Sequence, residues 1–129
     1  PVTEDPKLDQ LAQTRAEQIV THYSHYDDSG NIIAKQLAPE QGITNWSAEC
    51  NNTREWDSGN IFNNDLLTGS GIADNDVTQY IYGDASGDSN NNGHKHILLD
   101  AHNKTVGFGG VTKSQNGKNM FFTSMEFGD

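Results

Sequence analysis

Cys50 is the single cysteine in 129 residues. One thiol can form neither an intramolecular disulfide nor a thiolate zinc cluster, so covalent and metal staples of that kind do not hold this chain together. Basic residues are scarce as well: 8 Lys and Arg stand against 18 Asp and Glu, for a formal net charge of −10. A surface so charged repels phosphate backbones and anionic bilayers, which excludes nucleic acid as the main partner. Apolar residues make up only 33% of the chain, and no run approaches the roughly eighteen residues of a membrane-spanning helix. The expected molecule is therefore not membrane-spanning, with a modest core and long polar connections. Its length is that of one domain, 1–129, with 1–5 a loose terminus. No charged-then-apolar leader opens the chain; PVTEDPKLDQ reads as a trimmed or mature end, and a leader removed during maturation would leave no trace.

What is present is distributed unevenly. The five histidines fall in two clusters, His22 and His25 in THYSHYDDSGN and His94, His96 and His102 in GHKHILLDAHN, with Glu49 in AECNN between them. Imidazole is the side chain suited to bind a metal or move a proton near neutral pH. Zinc accepts imidazole nitrogens and carboxylate oxygens, so His25, Glu49 and His94 form a candidate metal or acid–base set. There is no HExxH signature, and spacing alone does not separate such a site from scattered polar residues. His22, His96 and His102 read as surface residues.

Apolar or small residues recur at Leu8, Leu11, Ala12, Ala16, Ile19 and Tyr23, the rhythm of a helix burying one face. Asp5 is placed to cap it and Pro6 suits its first turn. The turn chemistry of Asp27-Asp28-Ser29-Gly30 stops it, which sets His22 and His25 in its last turn and just beyond. From Asn31 to Thr68 the pattern weakens into short irregular or helical pieces, with one brief strand near Asn45 to Asn51. A second helix is expected over Asp74 to Tyr82 and a helical turn through His94 to Ala101. At the C-terminus, KTVGFGGVTK and KNMFFTSMEF flank Ser114-Gln115-Asn116-Gly117, the strongest short signal for a β-hairpin. Val106 and Phe108 share one face, and Gly109-Gly110 suggests a bulge. Helices first and paired strands last indicate an α+β domain.

Two other patterns carry less. Asp88-Ser89-Asn90-Asn91-Asn92-Gly93 matches the first half of a calcium loop, but position 12 is Leu99 where a bidentate carboxylate is needed, so it reads as a solvated loop. Cys50 lies beside Glu49, whose charge opposes thiolate formation, and reads as inert packing.

The order of these blocks carries a resemblance. SHYDDSGN, then AECNN, a tyrosine-bearing segment, GHKHILL and VGFG together resemble the CAP superfamily of cysteine-rich secretory proteins, antigen 5 and pathogenesis-related 1 proteins, in a short, disulfide-free bacterial form. The similarity runs from about Leu8 to Phe127. It implies a three-layer α-β-α sandwich with a central antiparallel sheet and a cleft holding His25, Glu49, Asp84 and His94. Asp84 stands in for the family's second acid, usually a glutamate, and AECNN departs from the family's Gly-Glu-Asn block at Ala48 and Cys50. The resemblance also implies an extracellular or cell-wall location, and a ligand that is a lipid, a cell-wall component or a surface protein.

On this reading the domain is a non-catalytic binding module. Its His25 and His94 bind a divalent metal, zinc by preference, while Glu49 orients a histidine from behind. Binding by neutral imidazole weakens below about pH 6.5. The alternative is a metal-assisted hydrolase acting on a peptide or cell-wall substrate, using His25 and His94 with Glu49 as general base.

Overall fold

The computed structural model describes residues 2–56, 97 and 99–129. Within them the order is β1 (Thr3–Glu4), α1 (Pro6–Ile19), α2 (Ile33–Glu40), β2 (Trp46–Trp56), β3 (Thr105–Gln115) and β4 (Lys118–Gly128). The four strands form one sheet in the order β1-β3-β4-β2. The three long strands are antiparallel, whereas β1 runs parallel to β3 through Thr3↔Thr105 and Glu4↔Val106. The class is α+β, consistent with the sandwich. Expected as a loose terminus, residues 3–4 instead hold a strand, because Thr3 donates to the Lys104 carbonyl and Asp5 to that of Val106 at 2.9 Å each.

Helix α1 starts as its sequence dictates: Asp5 Oδ1 accepts from the Lys7 amide at 2.9 Å, and Pro6 occupies the first turn. It ends at Ile19, a turn earlier than expected, so His22 and His25 both lie beyond it. The turn after it forms around Asp27, whose Oδ1 accepts from the amides of Ser29 and Asn31, with Gly30 at φ +83°. Strand β2 is the larger departure. It runs eleven residues where a brief strand was expected, and pairs with β4 along its whole length. The hairpin forms at Asn116 and Gly117, with φ of +53° and +74°, the left-handed pair that a tight two-residue connection requires.

No bulge forms at Gly109-Gly110; the register continues through Gly109↔Ser124 and Gly110↔Thr123. Glycine at Gly109 answers a different need. A Cβ there would collide with the backbone of Ala12 and Gln13, and one on Gly107 with that of Leu8 and Asp9. These two bare positions let α1 lie directly on β3. The irregularity falls instead between Trp46 and Ala48 in β2.

Register then sorts the sheet into two faces. Val106, Phe127 and Ala48 align across it, as do Phe108, Met125 and Cys50. They form an apolar cluster against which Ile97 packs, so this face is covered from the side opposite α1. Cys50 is fully buried in this cluster and takes part in no disulfide. On the α1 face the rows are Gly107–Glu126–Glu49 and Gly109–Ser124–Asn51. Leu8 and Leu11 of α1 bury themselves with Ala38 and Ile43, against Leu37 and Trp46. The helix expected over Asp74 to Tyr82, the calcium-like loop Asp88 to Gly93, and Asp84, His94 and His96 lie outside the described residues. Of the helical turn expected through His94 to Ala101, Ile97 and Leu99 are helical and Ala101 is in a turn.

Candidate functional site

Two bare glycines on β3 bring α1 low enough for Arg15 to reach across to β2. Arg15 is fully buried. Its Nε donates to Glu49 Oε2 at 2.8 Å and its Nη2 to Glu49 Oε1 at 3.2 Å. The remaining edge of the guanidinium is also occupied, Nη1 by Gln18 Oε1 and Nη2 by the Ser24 carbonyl, at 2.7 Å each. A buried ion pair is tolerated only when such additional bonds satisfy both partners. The Ser24 bond has a further effect, since it pins the loop that carries His25.

His25 is held from both sides. Its carbonyl accepts from the Ile33 amide at 2.9 Å, and Tyr26 bridges to Ile32 in antiparallel fashion. The ring approaches Glu49 through Nδ1, 2.7 Å from Oε1, and the side chain is 41% exposed against 2% for that of Glu49. Asn51, two residues along β2 on the same face, donates from Nδ2 to Glu49 Oε1 at 2.8 Å.

Behind Glu49 lies a second acid. Glu126 on β4 is its direct cross-strand partner, with no exposed surface. Its Oε1 accepts from the Trp46 indole at 2.9 Å and its Oε2 from the Ser124 hydroxyl at 2.6 Å. The Trp46 bond depends on the irregularity in β2, which turns Trp46 and Glu49 to the same face although they are three residues apart.

The two acids are driven apart in protonation. Burial pushes Glu49 up, but hydrogen bonds from His25, Glu126 and Arg15, together with the Arg15 charge, outweigh it and hold the carboxyl down to about 2. Glu126 goes the other way: burial raises it well above the usual glutamate value, and the hydrogen bond and charge of Glu49 add to this against Ser124 and Trp46. Like charges in one buried row cannot both ionise. Of the two, Glu49 is the one held as the carboxylate and Glu126 the one pushed toward the protonated acid.

That assignment fixes the histidine. An ionised carboxylate only accepts, so Nδ1 of His25 must carry the proton it shares with Glu49. In the neutral ring the lone pair is then on Nε2, the nitrogen turned away from Glu49.

Of the residues singled out from sequence, His25 and Glu49 meet here. His22 and His102 lie on the surface, His22 Nε2 against the Tyr26 carbonyl and His102 Nδ1 against Asp100, at 2.9 Å each. Among the described residues no group of three or more His, Cys, Asp or Glu is arranged to hold a metal. One imidazole Nε2 whose other nitrogen is held by a carboxylate fits one ligand position of a metal site. Arg15 and Glu126 were not anticipated. Arg15 carried a signal, a charge on the apolar stripe one turn after Leu11 and Ala12.

Among curated proteins none matches the chain. Among solved structures, an outer surface protein from Borrelia burgdorferi is similar to it, with a TM-score of 0.46 and 12% identity over 99% of this chain and 78% of that one. The model of the cysteine-rich secretory protein family, CAP, matches residues 1–127. With a match running from the first strand through the last, the chain belongs to the cysteine-rich secretory protein (CAP) family, as a member with a single cysteine.

Proposed function

We propose that this domain is an extracellular binding module in which His25 presents Nε2 as a donor to a divalent metal, zinc by preference, with His94 as the second imidazole. Glu49 serves as the group that orients the ring. The observation that carries this reading is the 2.7 Å contact between His25 Nδ1 and Glu49 Oε1, made by a carboxylate whose oxygens are already bonded to Arg15 and Asn51. A metal-bound histidine characteristically donates its other N–H to such a carboxylate. The metal would supply a Lewis-acidic contact for an extracellular ligand, a lipid, a cell-wall component or a surface protein.

The hydrolase reading requires Glu49 to act as a general base. A base works best with a pKa near the operating pH and within reach of the proton it takes. Glu49 is held down to about 2 and its side chain is 2% exposed. Both properties favour the orienting role.

The test is a calorimetric zinc titration at pH 7.5 of the parent protein and of His25→Ala and His94→Ala. Saturable one-site binding by the parent, weakened at least tenfold in each variant, is expected. Equal binding by all three proteins would defeat the metal assignment.

A further inference from the structure

We propose that Glu126 is a positioning residue of the His25 site: as the cross-strand partner of Glu49 it donates to that carboxylate, keeps it in the orientation that accepts from His25 Nδ1–H and so presents Nε2 outward. The inference rests on the reading of His25 as the presented ligand, but its mechanism lies wholly within the chain.

The argument begins with register. Glu126 and Glu49 are cross-strand partners on the α1 face of β4 and its neighbour β2, and directly opposed like charges repel. They can occupy one buried row only if one of them is neutral and serves as donor to the other. The charged and titratable groups facing the pair are Arg15 from α1, on Glu49, and His25 from the loop after α1, also on Glu49. Trp46 and Ser124 contact Glu126 itself. Glu126 is thus fixed in place by two bonds of its own, beside its cross-strand partner Glu49.

The chain of contacts therefore runs in one direction. Trp46 and Ser124 fix Glu126, Glu126 braces Glu49, and Glu49 selects the tautomer of His25. Arg15 supplies the compensating charge, because it bonds to both oxygens of Glu49. Glu126 supplies a donor from the neighbouring strand. An acid is needed there to donate to Glu49 while accepting from the indole and the hydroxyl. Glutamine keeps a donor toward Glu49 and an acceptor for the indole, with the Ser124 hydroxyl free to turn and accept from the amide, whereas methionine fills the space without any of these roles.

The experiment reads the tautomer directly, by nitrogen NMR of the His25 imidazole at pH 7.5 with no metal present. The parent and Glu126→Gln should both hold the Nδ1–H form. Glu126→Met should shift the ratio of Nδ1–H to Nε2–H several-fold toward the mixture of an unrestrained ring. Phe121→Leu, a change in a buried side chain toward the hairpin end of β4 and outside this chain of contacts, should lower the melting temperature yet leave the tautomer as in the parent. A folded Glu126→Met protein with the parental tautomer would overturn the proposal and return Glu126 to packing. If that variant does not fold, infrared spectra of the parent decide. A protonated-carboxyl stretch present at pH 7.5 and lost in Glu126→Gln supports the donor role, and its absence from the parent overturns it. Because no metal enters the measurement, a tautomer shift without zinc binding by the parent would refute the metal reading alone.

Discussion

At the scale of single residues the site is organised around one carboxylate, and its strongest partner is Arg15. Removing the guanidinium leaves Glu49 charged, 2% exposed and without its counter-ion. Breaking one side of a buried pair costs about 3–5 kcal/mol, because the surviving charge is left uncompensated. Arg15→Met, which keeps the stem and volume, is therefore expected to lower unfolding free energy by that amount in urea at pH 7, with the loop at Ser24 released as well. A loss under about 1 kcal/mol would mean that Glu49 takes up a proton or another partner at little expense. His25 and Glu49 were legible because their residue types carry chemistry and their blocks resemble a family. Glu126 was not, since a lone acid in KNMFFTSMEF looks like a solvent-facing residue of an alternating strand. It is buried because β4 lies between β3 and β2 and both of its faces are covered, and position within a sheet is a property of topology that a local pattern does not carry.

Among secondary-structure elements, the contact between α1 and β3 decides whether the site assembles. The cap, start and apolar face of α1 were readable from Asp5, Pro6 and the Leu8 to Ile19 rhythm, and the hairpin from Asn116-Gly117. The glycines were misread because the same residue serves bulges and close approaches, and only the partner element distinguishes them. A pair of variants separates the two uses. Gly109→Ala forces a Cβ into the backbone of Ala12 and Gln13, whereas at Gly110 the nearest atom is the Thr123 methyl at 3.6 Å, an ordinary contact. Overpacking against backbone typically costs about 1–3 kcal/mol and occasionally more. Gly109→Ala should fall at or above the top of that range and Gly110→Ala below about 0.5 kcal/mol, compared by urea midpoints. Lifting α1 from β3 also draws Arg15 away from Glu49, so Gly109→Ala should disturb the His25 ring resonance some distance from the substitution. Strand β2 was underestimated because Glu49, Asn51 and Thr53 sit on a face that meets a polar cluster, which erases the alternation expected of a half-buried strand.

For the whole molecule, the two buried acids set how stability responds to pH, and they act with opposite sign. Glu49 is lowered from 4.5 to about 2 in the folded protein. Its contribution is complete above the unfolded value and is lost as pH falls from about 4.5 toward 2. Glu126 is raised above 4.5. Its native environment is favourable while the unfolded chain is also protonated, and it becomes a growing cost once pH exceeds 4.5, at up to ~1.4 kcal/mol per unit until the native group itself ionises. The sum peaks near the ordinary glutamate value. The formal charge of −10 at neutral pH acts in the same direction on the alkaline side, by self-repulsion of the compact state. Urea midpoints between pH 3 and 8 should accordingly trace a maximum at mildly acidic pH, with the neutral side depressed. Glu126→Gln separates the two alkaline effects, since it removes the titration while keeping a donor to Glu49 and an acceptor for Trp46, with the Ser124 hydroxyl able to turn and accept from the amide. Its midpoint should match the parent at pH 4 and exceed it increasingly from pH 5 to 7, whereas added salt should raise both proteins alike by screening the net charge. Parallel profiles for parent and variant would place the pH dependence in the surface charge and leave Glu126 ionised or indifferent.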